Sequence, residues 1–357
     1  MKNVLFATTA LIATAGIASA EVSLSGSAEM GIVGGETADG ITRYTTQGSK
    51  VSNADQFHTD IDVTFTLSGE SDNGITFGAT IDLDEEGGFD STNGGPEAVF
   101  ISGDFGTLTM GDTDGALDNA VAENDVIGDI ADSSTTFSNV SFGNVDGLED
   151  NDGQVARFDY SIAGFGLSLS AEADDEGTNR NVWGFGATYS IAGYNLGAGY
   201  QGGEASTSET ETTLLADLVT GEVESTETIT DTTTNFEQWA FSAGTSFGPV
   251  DVMANYGEYI ENINSGKDIV TLRYSTGVTY SMDALTVGVM YGEEHTDGDS
   301  NVGRKGETEK GFGIAANYDL GGGLVLQAGY GEGVTEALNG MKDPVETSYS
   351  LGLSMSF

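Results

Sequence analysis

Between residues 113 and 154 the chain carries ten carboxylates and no lysine or arginine. Asp114, Asp118, Glu123, Asp125, Asp129 and Asp132 are interspersed there with Leu117, Val121, Val126, Ile127 and Ile130. Such a run can attract cations, or it can coordinate a hard cation such as calcium, which takes ~6–8 oxygens. Clustered carboxylates here include Asp112, Asp114 and Asp118, and Asp146, Glu149, Asp150 and Asp152. Neither has the full spacing of a helix-flanked calcium loop, so calcium stays an option and solvated charge the default. An ordinary surface loop is the plainer reading of the whole run, but its apolar residues, with Phe137 and Phe142, need a surface to pack on. Catalysis would need a nucleophile or an activated water beside a base. The only histidines are His58 and His295, there is no cysteine, and nothing singles out one carboxylate as a base.

A structureless stretch of this length is unusual in a compact domain and is either functional or disordered. The elements on each side of it must therefore decide what it does. Residues 1–20 read as an export signal: Lys2, an apolar run from Val4 to Ile12, and small residues at Ala18-Ser19-Ala20. The mature domain is then 21–357. Losing Lys2 with no acid turns the formal charge of −46 into −47, which excludes nucleic acid as a partner because phosphates need basic contacts. No apolar run approaches the ~18 residues of a membrane helix. With no cysteine there are no disulfides, so pairing and packing alone hold the fold.

Period-two alternation dominates. Ile61, Val63, Phe65 and Leu67 alternate with Asp60, Asp62, Thr64 and Thr66; Val270, Leu272, Tyr274, Val278 and Tyr280 alternate with Thr271, Arg273, Ser275, Gly277 and Thr279. The polar faces are small, unlike those of a soluble sheet. Sixteen segments follow this pattern: 22–32, 58–68, 75–84, 98–103, 106–112, 155–162, 165–174, 182–191, 194–201, 236–247, 250–260, 268–281, 285–292, 310–319, 323–331 and 347–357. Short connectors such as Ala163-Gly164 and Ala192-Gly193 alternate with long acidic ones at 33–57, 85–97, 113–154, 202–235, 293–309 and 332–346. This order predicts an all-β, 16-stranded antiparallel transmembrane barrel with tight turns at one rim and loops at the other.

Three hairpins repeat a tyrosine spacing, Tyr189 to Tyr200, Tyr280 to Tyr291 and Tyr318 to Tyr330. Tilted strands cross a bilayer in ~9–11 residues, so these rings would mark both interfaces. A soluble sandwich is the alternative, but its core would need large side chains on the faces that here carry Ser, Thr and Gly.

Glu21-Val-Ser-Leu-Ser-Gly-Ser-Ala-Glu-Met-Gly31 resembles the mature start of alphaproteobacterial general porins. Val99-Phe-Ile-Ser-Gly-Asp-Phe-Gly-Thr-Leu-Thr-Met-Gly-Asp112 resembles their fourth hairpin region, and Tyr318-Asp-Leu-Gly-Gly-Gly323 with Phe357 their closing strands. The resemblance implies homotrimers in the outer membrane of a Gram-negative bacterium, among outer-membrane lipid and lipopolysaccharide. It implies that the third loop, 113–154, folds inward as a constriction whose acids face basic groups on the wall. Arg157 and Arg273 are inward by strand parity and fit that wall; Arg43 and Lys50 lie in or beside the first loop. Basic residues are few, and the Thr/Glu-rich 202–235 stretch has no counterpart in the family pattern.

The reading is a passive, cation-preferring diffusion channel for small hydrophilic solutes and ions, with no cofactor and no chemistry. A surface adhesin, or a barrel enzyme with a non-conducting lumen, are the competing classes.

Overall fold

The computed structural model describes residues 21–36, 43–44, 50–51, 55–86, 97–122, 128, 130, 154–173, 181–216, 223–264, 266–298, 306–337 and 345–357. The export signal and Glu123, Asp125, Asp129 and Asp132 lie outside them.

Alternating sequence gives strands whose two faces differ. In chain order these are β1 (Glu21–Glu36), β2 (Arg43–Tyr44), β3 (Lys50–Val51), β4 (Gln56–Glu70), β5 (Thr76–Glu86), β6 (Glu97–Gly103), β7 (Gly106–Gly111), β8 (Gln154–Ile162) and β9 (Phe165–Ala173). They continue with β10 (Asn181–Ile191), β11 (Tyr194–Ala216), β12 (Val223–Phe247), β13 (Val250–Ile263), β14 (Asp268–Met282), β15 (Leu285–Thr296), β16 (Glu307–Gly321), β17 (Leu324–Ala337) and β18 (Glu346–Ser356). A helical turn, α1 (Ala116–Ala120), follows β7. All sixteen segments read from the alternation are strands of one closed antiparallel barrel; β2 and β3, which hold Arg43 and Lys50, form a separate ribbon.

Closure joins β1 to β18, with Met30 opposite Leu353 and Ile32 opposite Leu351. The amide of Phe357 donates to the Gly26 carbonyl at 2.9 Å. No barrel strand is left with an open edge, which a lipid environment requires. At the tight rim Ala163-Gly164 and Ala192-Gly193 take positive φ at both positions. That is the mirror-image turn whose twist matches the strands it joins.

The faces are inverted relative to a soluble protein. Leu169 and Leu351 are each 55% exposed, whereas Gln201 is fully buried and Ser275 is 3% exposed. Apolar side chains point outward and small polar ones inward, the pattern of lipid outside and lumen within.

One expectation is corrected. The stretch 202–235, read as a long connector between strands, instead extends them, because β11 and β12 stay paired out to Ala216 opposite Val223. β10 leaves off at Glu204 and β13 at Thr234, so the last ten rows, from Thr207 opposite Thr232, form a two-stranded projection about 34 Å long. Its repeated threonines favour an extended chain. Its acids Glu209, Glu211, Glu224, Glu227 and Asp231 all fall opposite uncharged residues, avoiding directly opposed like charges. Strands also extend further into the loops at 33–36, 293–296 and 332–337 than the alternation suggested.

Candidate pore lining

Where β7 ends, the chain turns onto the inner wall, and three devices hold it there. The first is a glycine seat. On β10 Gly184 and Gly186, and on β11 Gly197 and Gly199, alternate with outward Phe185 and Ala198. A Cβ at Gly186 would run into the Ala116 carbonyl, and one at Gly197 into the Ala120 carbonyl; at Gly199 it would lie 2.8 Å from the Leu117 Cα. Only bare backbone lets α1 approach so closely, and Ala116, Leu117 and Ala120 are buried there.

The second device is a row of small polar side chains that takes up the segment's unpaired backbone groups, which burial would otherwise leave without partners. The Ala116 amide donates to Ser170 Oγ at 2.8 Å, and the Ala122 amide to Ser242 Oγ at 3.0 Å. Asn255 Nδ2 donates to the Ala122 carbonyl at 3.4 Å, and Ser275 Oγ to Asn255 Oδ1 at 2.6 Å. Asp159 is the hub at the near end, accepting from Arg157 Nε at 3.0 Å, Ser168 Oγ at 2.6 Å and Asn119 Nδ2 at 3.3 Å. Arg157 Nη1 also donates to the Asp114 carbonyl at 2.7 Å.

The third device lies on other strands. Asn317 Nδ2 on β16 and Gln327 Nε2 on β17 both donate to the Gly128 carbonyl, at 2.9 and 3.3 Å. Ile130 fills a socket left by Gly31 and Gly352, which are paired across the β1–β18 closure. Ala116 to Ala122 thus sit against the β9–β13 wall, and Gly128 and Ile130 against β16, β17 and the β1–β18 closure.

Of the expected site residues, Asp114 stands 3.9 Å from Arg157 and is exposed, while Asp118 is half-buried on α1. Arg157 and Arg273 both point inward, as parity required, but each has a carboxylate of the wall as close partner. These are Asp159 at 3.0 Å and, on β15, Glu294 at 2.6 Å. Asp112, Asp114 and Asp118 do not gather into a metal site; among the described residues no three such ligands do.

Sequence reasoning passed over the wall acids. Glu29, Asp60, Asp62 and Asp82 line the inner face of β1, β4 and β5, with Ser27 donating to Asp62 at 2.7 Å and His58 3.6 Å from Glu29. The same parity that placed Arg157 would have found them. At the loop-side mouth, Glu309 lies three residues past Phe312 and the aromatic band, outside the membrane-crossing part. Its side chain is exposed to the lumen, yet desolvation by the groups packed around it raises the carboxyl above the ordinary value, and the charges of Glu294, Glu307 and Glu346 add to this against Arg273.

The profile of the Gram-negative porin family matches residues 7–337. The chain belongs to that family. A porin of Rhodobacter capsulatus is 25% identical over 329 residues, covering 87% of this chain and 93% of its own. A solved porin structure shares the fold at a TM-score of 0.63 and 22% identity, covering 94% of this chain and all of that one. The trimer form of OmpT from Vibrio cholerae aligns at 0.67 with 12% identity, over 95% and 100% of the two chains. The resemblance to alphaproteobacterial porins therefore holds. This porin is an outer-membrane channel protein and not an enzyme.

Proposed function

We propose that the porin is a passive, water-filled channel for small hydrophilic solutes and ions, that it prefers cations, and that it works as a homotrimer in contact with lipopolysaccharide. The constriction in this reading is the third loop, with Asp114, Asp118, Glu123, Asp125, Asp129 and Asp132 set against Arg157 and Arg273. Sixteen strands is the barrel size that leaves an aqueous lumen, and no bond-making step is needed.

One observation carries the ion preference. Both inward arginines have a wall carboxylate as close partner, so they offset Asp159 and Glu294 and add little positive field to the eyelet. Glu29, Asp60, Asp62 and Asp82 on the inner face of β1, β4 and β5 then make the lumen negative. A narrow aqueous path between low-dielectric walls focuses that field and concentrates cations. Screening weakens it, with a Debye length of ~8 Å at 0.15 M salt and ~3 Å at 1 M.

The test is the reversal potential of the reconstituted trimer across a salt gradient. Cation preference is expected at low salt, shrinking steeply as salt rises. Neutralising Asp114, Asp118, Glu123, Asp125 and Asp129 to Asn or Gln is expected to remove much of it. A zero or anion-selective potential at low salt would overturn the reading.

A further inference from the structure

The outer wall over β10–β13 carries a groove that ion passage does not use. Its floor is two cross-strand alanine pairs, Ala187 with Ala198 and Ala243 with Ala254. Two adjoining hollows of about 560 and 410 Å³ follow this floor and share Ala198 and Phe241. Phe165 stacked on Tyr189 at 4.0 Å closes the groove toward the tight rim. Toward the loops, Trp239 lies directly opposite both Tyr200 and Glu258 in register, 5.6 Å from the Tyr256 ring.

Two carboxylates stand beside those rings. Tyr256 Oη donates to Glu258 at 3.4 Å, and the Tyr200 hydroxyl faces Glu237. The sequence from 181 to 263 contains no lysine, arginine or histidine, so an anionic headgroup would meet only carboxylates here. Glu237 to Ala243 spans about 20 Å of strand, which at a tilt of ~45° crosses about 14 Å of depth, about half the ~30 Å hydrocarbon thickness. The groove is thus as long as one leaflet, apolar along its length and acidic and aromatic at its headgroup end.

We propose that this groove binds an outer-membrane lipid whose headgroup carries an amine or a quaternary ammonium. One acyl chain lies over the alanine floor, and the cationic nitrogen sits beside Glu237 and Glu258 against the face of Trp239. The site does not depend on the ion preference proposed above.

The porin's two tryptophans make the site readable, because Trp183→Phe leaves Trp239 as the sole reporter. The variant is refolded into vesicles mixing a trimethylammonium lipid with a phosphatidylglycerol, with brominated acyl chains on one or the other. Quenching of Trp239 is expected to show a roughly three- to tenfold preference for the trimethylammonium lipid. Glu237→Gln with Glu258→Gln should abolish the preference, while Glu332→Gln with Glu336→Gln, an equal charge change on β17, should leave it. Ala198→Leu with Ala243→Leu should weaken quenching by both lipids. Equal quenching by the two lipids would overturn the proposal, as would equal loss in the two glutamine pairs. Absence of quenching by either lipid, as a second barrel covering this face would produce, would overturn it too.

Discussion

The stretches 113–154 and 205–233 are both long, acidic and free of lysine and arginine. The second extends past the rim, its two strands bonding each other row by row to Ala216 and Val223. The described part of the first lies on the inner wall, where its only regular element is five residues of helix. The backbone groups of Ala116, Ala122 and Gly128 take partners from the wall, at Ser170, Ser242, Asn255, Asn317 and Gln327. Length and charge therefore do not set the fate of an excursion; the destination of its main-chain hydrogen bonds does. Alternating threonines let the hairpin satisfy itself. The third loop has no such period, and it needs a wall with serines, amides and bare glycines facing it.

The sharpest way to break this contrast is to spoil the seat. In Gly197→Val the new side chain meets the Ala120 carbonyl and Ser242 Oγ, the latter already engaged by the Ala122 amide. Overpacking of this kind costs about 1–3 kcal/mol, so the variant should unfold at lower temperature or open the lumen by displacing α1, seen as raised single-channel conductance. Thr210→Val in the hairpin should move stability by no more than about 0.5 kcal/mol. If the two variants behaved alike, the seat would not matter.

The distal anchor should matter less. Asn317→Ala with Gln327→Ala removes two hydrogen bonds to one carbonyl, each with a net worth of about 0.5–1.5 kcal/mol. Both amide oxygens are buried with no partner among the described residues, and losing them relieves part of that cost. Stability should therefore fall only slightly, while the loop's hold on the far wall is lost. Noisier single-channel current and closure at lower voltage are expected; unchanged traces would assign all the anchoring to α1.

Strand placement was legible because a strand's two faces repeat every second residue, and lipid on one side with water on the other keeps that signal strong. Arg157 and Arg273 were placed inward by this parity alone, and it would have found Asp60 and Asp62 had the polar faces been searched for carboxylates. The glycine seat also left a mark, Gly-Phe-Gly on β10 and Gly-Ala-Gly on β11, but a glycine in a strand does not say what lies against it. The Gly128 clamp had no local signal, since Asn317 and Gln327 lie 189 and 199 residues away. The hairpin was misread because acids in a Thr-rich run look like loop until the register shows each one opposite an uncharged partner.

Removing the hairpin sharpens the comparison from the other side. Joining Glu204 to Asn235 through Asn-Gly, a two-residue link that suits a tight hairpin, deletes seven carboxylates between 205 and 234 and no base. The barrel should fold with conductance unchanged and with only a small drop in reversal potential, confined to low salt, because these charges stand beyond a Debye length from the lumen. A drop as large as that from neutralising the third loop would mean that general acidity, rather than the constriction, selects cations.

The smallest expected effect is a pH dependence at the mouth. Glu309 faces inward with Glu294, Glu307 and Glu346 nearby, and desolvation is the main reason its carboxyl is raised above 4.5. A raised carboxyl is neutral at a pH where an ordinary glutamate is still charged. As pH falls, cation preference should therefore decline in two stages, Glu309 first and the unshifted wall and loop carboxylates together later. Glu309→Gln should erase the first stage and leave the second. The linkage sign follows from the same shift. With the folded value above the unfolded one, ionisation opposes folding once pH rises through the folded value, so Glu309→Gln should be neutral to slightly stabilising at pH 7. Selectivity followed by reversal potential in small pH steps, alongside thermal unfolding of both forms, checks the two signs together. A single-stage decline, or a variant that unfolds earlier at pH 7, would mean that Arg273 rather than desolvation governs this carboxylate.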